Sequence, residues 1–366
     1  MSEVIAQEKF HCPNCGADAH WNPSKQALVC PYCGTFSPAK RSDAGVVVER
    51  DLADALRNAG GDERGWQAEK TSVKCQSCEA ITVFDPEKVA QRCPFCGSAQ
   101  LVPYDQIKAP IRPESLLPLK IPESEVRDRV REWYGNRWFA PNALGARAMT
   151  DVVKGIYLPY WTFDAQAHAD WTAESGYYYY ETEHYADSEG RSQTREVQHT
   201  RWEFSAGQLD HFFDDDLVPG TRGVPLPLLA KIEPFPTTTD LMPYDPSFLA
   251  GWVVEQYQVD LSQAAELNRQ HMDSTLESLC AQQVPGDTRR NLQVSAEYQT
   301  RSFKHVLVPV WLLSFDYGAK HYQVLVNGFT GKVAGKYPLS WVKISLAVFF
   351  GLVAMIIIIA LMNSRR

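Results

Sequence analysis

Eight cysteines near the N-terminus repeat one pattern: Cys12, Cys15, Cys30 and Cys33, then Cys75, Cys78, Cys93 and Cys96, each displaced by 63 residues. Thiolates in this arrangement bind metal. Each copy is CxxC, fourteen residues, CxxC, a spacing that lets two short knuckles face each other and close a tetrahedral site around one ion. The expectation is two structural Zn²⁺ sites with these eight residues as ligands. Iron in a rubredoxin-like centre uses the same knuckles and stays open. Disulfides are the third reading, suited to a secreted chain.

The elements that hold these ligands follow from the local sequence. Three knuckles read C-P-x-C-G, ending at Gly16, Gly34 and Gly97. The chain must turn sharply after the second cysteine, where a residue without Cβ tolerates positive φ. The fourth, Cys75 to Glu79, lacks both Pro and Gly and is expected to be strained or loose. Trp21, Asn22 and Pro23 recur as Phe84, Asp85 and Pro86, which predicts an aromatic-Asx-Pro turn between the knuckles of both copies.

These motifs divide the chain. Zinc ribbons are expected at 8–38 and 71–102, joined by a linker, 39–70, with a short helix from Val46 to Ala59 that ends at Gly60 and Gly61. A proline-rich stretch from Leu101 to Pro122 predicts a second linker at 103–118. A β-rich α+β domain follows at 119–338. Its helices are expected at Glu123 to Phe139, with Val126, Val130, Trp133 and Arg137 on one stripe, and at Asp260 to Val284. Alternating strands are read at His168 to Ala173, Val197 to Ala206 and Gln323 to Val326, with Asn327 and Gly328 as a hairpin turn. The whole is an α+β multidomain chain.

A faint internal echo pairs Gly155-Ile156-Tyr157-Leu158-Pro159-Tyr160-Trp161 with His305-Val306-Leu307-Val308-Pro309-Val310-Trp311, shifted by 150 residues. It suggests two related β units, with each proline at an edge or a bulge. At the far end, Ile344 to Met362 carries no charge, and residues 341–362 read as a transmembrane helix with Trp341, Lys343, Arg365 and Arg366 as interfacial anchors. MSEVIAQEKF has neither a basic start nor an apolar run, so no signal peptide is expected. Lys332, Lys336 and Lys343 place the preceding side in the cytoplasm. The expected location is the inner (plasma) membrane, single-pass and tail-anchored, with the bulk of the chain cytoplasmic and its thiols reduced.

No other motif supports catalysis, and a non-enzyme is expected. Gly328-Phe329-Thr330-Gly331-Lys332 lacks the spacing of a phosphate loop and has Val333 where Ser or Thr should stand, so it reads as a turn. Tyr177 to His184, with His199, His211 and Asp214 to Asp216, could be imagined as a second metal site, but scattered His and Asp on strands are ordinarily solvated. Cys280 sits at helical spacing from Leu276 and reads as a core residue, with a reactive thiol as the alternative. Residues 1–110 hold twelve Lys and Arg against fourteen Asp and Glu. This balance lacks the basic footprint that phosphate binding needs, so nucleic acid is not the expected partner. A nucleic-acid-binding ribbon protein tethered to the membrane is the alternative.

The double ribbon, Gly155 to Trp161, Phe248-Leu249-Ala250-Gly251-Trp252 with Glu255 and Tyr257, and the C-terminal span together resemble the bacterial double-zinc-ribbon membrane proteins of the YdjG type. These are often labelled TFIIB-type zinc-ribbon proteins, or helicase-like relatives of primosomal protein N′. The resemblance covers most of the chain, and the cysteine repeat is its specific part. It implies a non-enzymatic adaptor that recruits PspA-like or SPFH (stomatin-like) proteins to the membrane in envelope stress. A homo-oligomer is compatible with it. The helicase label finds no complete nucleotide-binding motif to rest on.

Overall fold

The computed structural model describes residues 10–37, 47–57, 71–84, 92–104, 111–142, 144, 153–186, 192–317 and 320–363. The fold is α+β and strand-rich, with two ribbon-like cysteine units at the start and one apolar helix at the end. The first unit is a four-stranded sheet of β1 (Phe10–His11), β2 (Asp18–Asn22), β3 (Ala27–Val29) and β4 (Phe36–Ser37). The second has three strands in the order β7-β6-β8, with β6 at Thr71–Cys75, β7 at Ile81–Phe84 and β8 at Leu101–Pro103. Among the described residues between them, a short stretch is helical. β5 (Arg50–Asp51) pairs with a strand of the large sheet, and α1 (Leu52–Arg57) starts under the Asp51 carboxylate, which accepts from the Asp54 N–H at 2.7 Å. The helix expected from Val46 is therefore shorter, because residues 50 and 51 are extended in the sheet and Val48 is exposed. Its expected end at Gly60 and Gly61 lies outside the described residues.

The body is a nine-stranded sheet whose main path runs β11-β10-β14-β15-β16. β10 (Val153–Ala186), β11 (Ser192–Pro219) and β14 (Thr288–Tyr317) have 34, 28 and 30 residues, against a usual strand of about 5–6. β15 (Lys320–Asn327) and β16 (Val333–Gly335) close one side. Two-residue strands β9 (Ser115–Leu116), β12 (Met242–Pro243) and β13 (Val253–Val254) fill the rest, with α2 (Glu123–Gly135), α3 (Leu226–Ile232), α4 (Thr237–Asp240) and α5 (Leu261–Gln283) packed around them. The proline-rich stretch is not a free linker. Ser115 and Leu116 pair with Val306 and Leu307, and Leu116, Leu117 and Leu119 are buried. Among the described residues, Pro113 and Pro118 flank a short extended segment that the sheet accepts.

The echo between 155–161 and 305–311 is a duplication with its own symmetry. The two segments pair with each other, Gly155 with Trp311 and Trp161 with His305, so Leu158 faces its own counterpart Val308. β13 runs parallel to Ile156 and Tyr157, as β9 runs parallel to Val306 and Leu307. The hydrogen bonds repeat as well. Gly220 N donates to Pro159 O and Gly328 N to Pro309 O, both at 2.9 Å; Trp161 Nε1 donates to Val259 O and Trp311 Nε1 to Ile121 O, again at 2.9 Å. The body is thus two β-α-β-β units, β9-α2-β10-β11 and β13-α5-β14-β15, about a pseudo-two-fold axis. The phosphate-loop lookalike at Gly328 is the counterpart of Gly220-Thr221-Arg222-Gly223, a return turn. Space at both glycines is short: a Cβ at Gly220 would lie 3.0 Å from Pro159 O, and one at Gly328 2.9 Å from Pro309 O.

The two prolines are not at a sheet edge. Pro159 stands where the neighbour of β10 changes from β13 to β11, and Pro309 where that of β14 changes from β9 to β15. A missing N–H costs nothing at such a seam. α2 buries Val126, Val130 and Tyr134, with Trp133 half-buried against the same core as expected; Arg137 lies beyond the helix, which ends four residues before Phe139. α5 is capped by Asp260, which accepts from Gln263 N at 2.9 Å, and lays Met272, Leu276 and Cys280 on Ala165, Ala167, Ala169 and Trp171 of β10. Cys280 is wholly buried, and burial raises its thiol, so it is a core residue. A buried ion network ties the inter-ribbon segment to the sheet: Lys304 Nζ lies 2.6 Å from Asp215 and 3.1 Å from Glu49.

Beyond the last β14 pair, Gly176 with Thr288, β10 and β11 continue alone as a two-stranded arm. Its cross-strand pairs include Glu183 with Arg195 at 2.7 Å and Tyr179 stacked on His199. At the other end of β10, α6 (Trp341–Asn363) leaves the body six residues after β16. Residues Trp341–Met362 are long and apolar enough to cross a membrane, and their most apolar stretch is not buried against the body. At about 1.5 Å per residue they span about 33 Å.

Candidate metal centres

The structure brings all eight cysteines into two groups of four, within which every Sγ lies within 4.8 Å of the others. Cys12 and Cys33, and Cys15 and Cys30, are 3.5 Å apart; Cys75 and Cys96, and Cys78 and Cys93, are 3.6 Å apart. Four ligands at about 2.3 Å from one ion sit about 3.8 Å from each other in a tetrahedron, whereas bonded sulfurs are about 2.0 Å apart. The spacing is that of ligands around an ion, and the donor set fits a tetrahedral thiolate metal. One thiol in each group is already biased toward the binding form. The Thr35 hydroxyl, 3.0 Å from Cys33 Sγ, holds Cys33 down at about 5, and the Cys78 thiol does the same for Cys93, also at about 5.

The four knuckles share one backbone design. In each, the first cysteine N–H and C=O close the turn: Cys12 N to Ala17 O and Gly16 N to Cys12 O, Cys30 N to Thr35 O and Gly34 N to Cys30 O, with the same pair at Cys75 and Cys93. The residue after the second cysteine has φ of 73° at Gly16, 72° at Gly34 and 76° at Gly97. Glu79 adopts the same left-handed conformation at 62° with a side chain attached. A non-glycine residue there costs roughly 1–2 kcal/mol. Glu79→Gly is therefore expected to stabilise the second ribbon by about 1 kcal/mol, part of the gain being lost to glycine's freedom in the unfolded chain. Titration of bound metal against a competing chelator checks this, as tighter binding at Cys75, Cys78, Cys93 and Cys96.

The ribbons are set into the body rather than held apart from it, each by a different aromatic. Trp21 lies 4.4 Å from Phe248, donates its N–H to Ala250 O at 3.0 Å and its indole Nε1 to Leu119 O at 3.4 Å. In the second ribbon Phe95 is fully buried, and its carbonyl accepts from Ser314 Oγ at 2.7 Å and from Gln323 Nε2 at 3.3 Å. Its counterpart Tyr32 is 82% exposed. The Asn22 carboxamide caps the turn after Trp21 by accepting from Lys25 N at 3.0 Å. The matching turn at Asp85 and Pro86 lies outside the described residues.

Glu255 is the buried acid beside the second ribbon. Its N–H donates to Tyr157 O and it bridges to Thr82, while Oε1 accepts from Gln258 Nε2 at 2.7 Å. Burial pushes its carboxyl up to about 8. A carboxyl raised in the folded state loses stability as pH climbs from its unfolded value, near 4.5, through 8, because the unfolded chain ionises first. Between pH 6 and 8 stability is expected to fall by about 1 kcal/mol per pH unit, flattening as pH approaches 8, and Glu255→Gln is expected to remove this fall. Denaturant melts of metal-loaded protein at pH 6 and 8 measure the difference.

Sequence reading missed Phe95 and the seat of Trp21 and gave Glu255 no role beyond the resemblance, since nothing local marks their burial. The imagined His and Asp site is not assembled. His199 pairs with Tyr179 in the arm and His211 with Ala167, twelve residues away along β11. Among the described residues, the two cysteine sets are the groups of three or more His, Cys, Asp or Glu close enough to hold an ion.

No protein-family model matches the chain, and no solved structure matches it. The chain is a distant homologue of a Bacillus subtilis (strain 168) protein described as uncharacterized protein YdjG, with 24% identity over 347 residues that cover 92% of each chain.

Proposed function

We propose that the chain is a non-enzymatic, membrane-anchored adaptor whose two ribbons each hold one structural Zn²⁺. Its C-terminal helix fixes it in the inner membrane with the body in the cytoplasm, and its exposed surfaces recruit a cytoplasmic PspA-like or SPFH-like protein in envelope stress. The observation that carries this reading is the two-stranded arm. Tyr178, Tyr179, Tyr180 and Tyr185 are exposed there, and Arg195 and Arg201 lie over Tyr185 and Tyr177 with 5.5 and 5.8 Å from guanidinium carbon to ring centre. Tyr, Trp and Arg are the residues that dominate binding energy at protein interfaces. A two-stranded ribbon this long is marginal by itself, so its aromatic surface is supported as a contact surface rather than as a core.

The test is co-expression of the full chain with fluorescently tagged PspA-like and SPFH-like proteins from the same genome. The tagged protein is expected at the membrane with the intact chain and in the cytosol when Tyr178, Tyr179 and Tyr180 are all replaced by Ser. A partner that stays cytosolic with the intact chain rejects the adaptor reading.

A further inference from the structure

The chain's second contact with lipid is suggested by the loop after α2. Asn136 ends that helix, and the loop turns back through Arg137 N to Tyr134 O and Ala140 N to Arg137 O. It then grips the start of α6. Phe139 O accepts from Ser340 N at 2.7 Å, and Lys343 Nζ donates to Ala140 O at 2.8 Å and to Asn142 Oδ1 at 2.6 Å. Ser340 also opens α6, its carbonyl accepting from Ile344 N at 3.0 Å. The loop is thus at the level of the first turn of the apolar helix and is bonded to it.

Among the residues this loop exposes are two large aromatics. Trp138 is 75% and Phe139 41% exposed, stacked on each other at 6.3 Å, and Trp341, which follows the Ser340 bonded to Phe139, is 78% exposed. Large aromatic rings so open to water are costly in a soluble face and favourable at a bilayer interface, where an amphipathic indole and a flanking cation are both at home. The cations are present: Lys343 in the loop's grip, and Arg137 packed 5.0 Å over Trp133. The mounting is stiff, because Tyr337, four residues before α6, packs edge-on to Trp133 at 5.6 Å and belongs to the main core.

We propose that residues 136–142 form a second membrane-contact element, placing Trp138 and Phe139 in the interfacial layer of the bilayer beside the entry of α6. The body is thereby fixed to lipid at two points and cannot swivel on its helix. This rests on the reading of α6 as a membrane span. The loop cannot stand clear of the interface while the first turn of α6, to which it is bonded, lies within it.

The experiment uses the full chain, metal-loaded, in liposomes of phosphatidylcholine and phosphatidylglycerol. An environment-sensitive fluorophore is placed on a single added cysteine at Trp138, at Asn136 (which leaves both rings in place), at Phe350 in the middle of α6, or at Tyr32 on the first ribbon; unsubstituted protein sets background labelling. The labels at 136 and 138 are expected to be quenched at least about twofold by a lipid spin-labelled near its headgroup and to be shielded from aqueous iodide, while the label at 32 shows the reverse. With Trp138 and Phe139 both replaced by Ser, lipid quenching at 136 should fall toward that at 32. Quenching at 350 by a lipid spin-labelled midway down its acyl chain, with 136 and 138 behaving like 32, overturns the second contact and leaves the span intact. Absence of acyl-chain quenching at 350 overturns both.

Discussion

Replacing Cys30 by Ser is expected to lower the metal content from two ions per chain to one, with the first ribbon unfolding and the second keeping its ion. Apart from Trp21, which is seated in the body against Phe248, the ribbon has little else to hold it. Its apolar cluster consists of Ala19, Leu28 and Ala250, with Phe10 packed at the side, and one of these comes from the body. A unit of this size cannot bury enough surface to fold alone, and a structural zinc supplies on the order of 10–16 kcal/mol of apparent binding energy. Elemental analysis reads the loss, and proteolysis within 10–37 reads the unfolding. Cys93→Ser should also remove one ion but do more harm, since Phe95 and Ile81 are seated in the body and Ile81 O accepts from Gln256 N at 3.1 Å. Unchanged stoichiometry in Cys30→Ser would contradict the assignment of the first site.

A second large effect is expected at the paired tryptophans. Trp161→Ala and Trp311→Ala should each destabilise the body by about 3–5 kcal/mol, the usual cost of emptying a buried aromatic site. Each is fully buried and each donates its indole N–H to a carbonyl just ahead of α5 or α2, Val259 O or Ile121 O. Trp→Phe at either place keeps much of the volume and leaves that carbonyl unpaired, for about 1–3 kcal/mol. Equilibrium unfolding in denaturant measures all four. The duplication predicts near-equal costs within each pair of variants; a large inequality would show that the two units share geometry without sharing the energetics.

These tryptophans also mark how far the sequence could be read. Ligand spacing is local, so the eight cysteines, the glycine turns and the strain at Glu79 were legible as patterns of a few residues. The apolar helix was legible because an uncharged run long enough to cross a bilayer stands out by length and composition alone. The duplication was legible only at Pro159 and Trp161 against Pro309 and Trp311, where packing tolerates few alternatives. Its other half was invisible: Ser115 and Leu116 correspond to Val253 and Val254, and Pro122 to Asp260, with no residue in common. What is repeated there is backbone hydrogen bonding, which places little demand on side-chain identity. The same reason explains the misread proline-rich stretch, since proline reports what a segment cannot donate and not whether a sheet will take it up. The length of β10 and β11 escaped because a strand's end is set by its neighbours, and polar alternation looks alike in a strand of six residues or of thirty.

That length separates two kinds of chemistry on one molecule. The far end of the arm lies at the end of β10 opposite α6, on the order of 100 Å of strand away at about 3.3 Å per residue. At physiological ionic strength charge is screened over about 8 Å. Under the proposed function, a protein held on the arm is therefore many screening lengths from the lipid headgroups around α6, and its capture should be indifferent to how anionic the membrane is. Changing the lipid charge would then tune how the base sits, while changing salt would tune what the tip holds, two adjustments that a compact molecule could not keep apart.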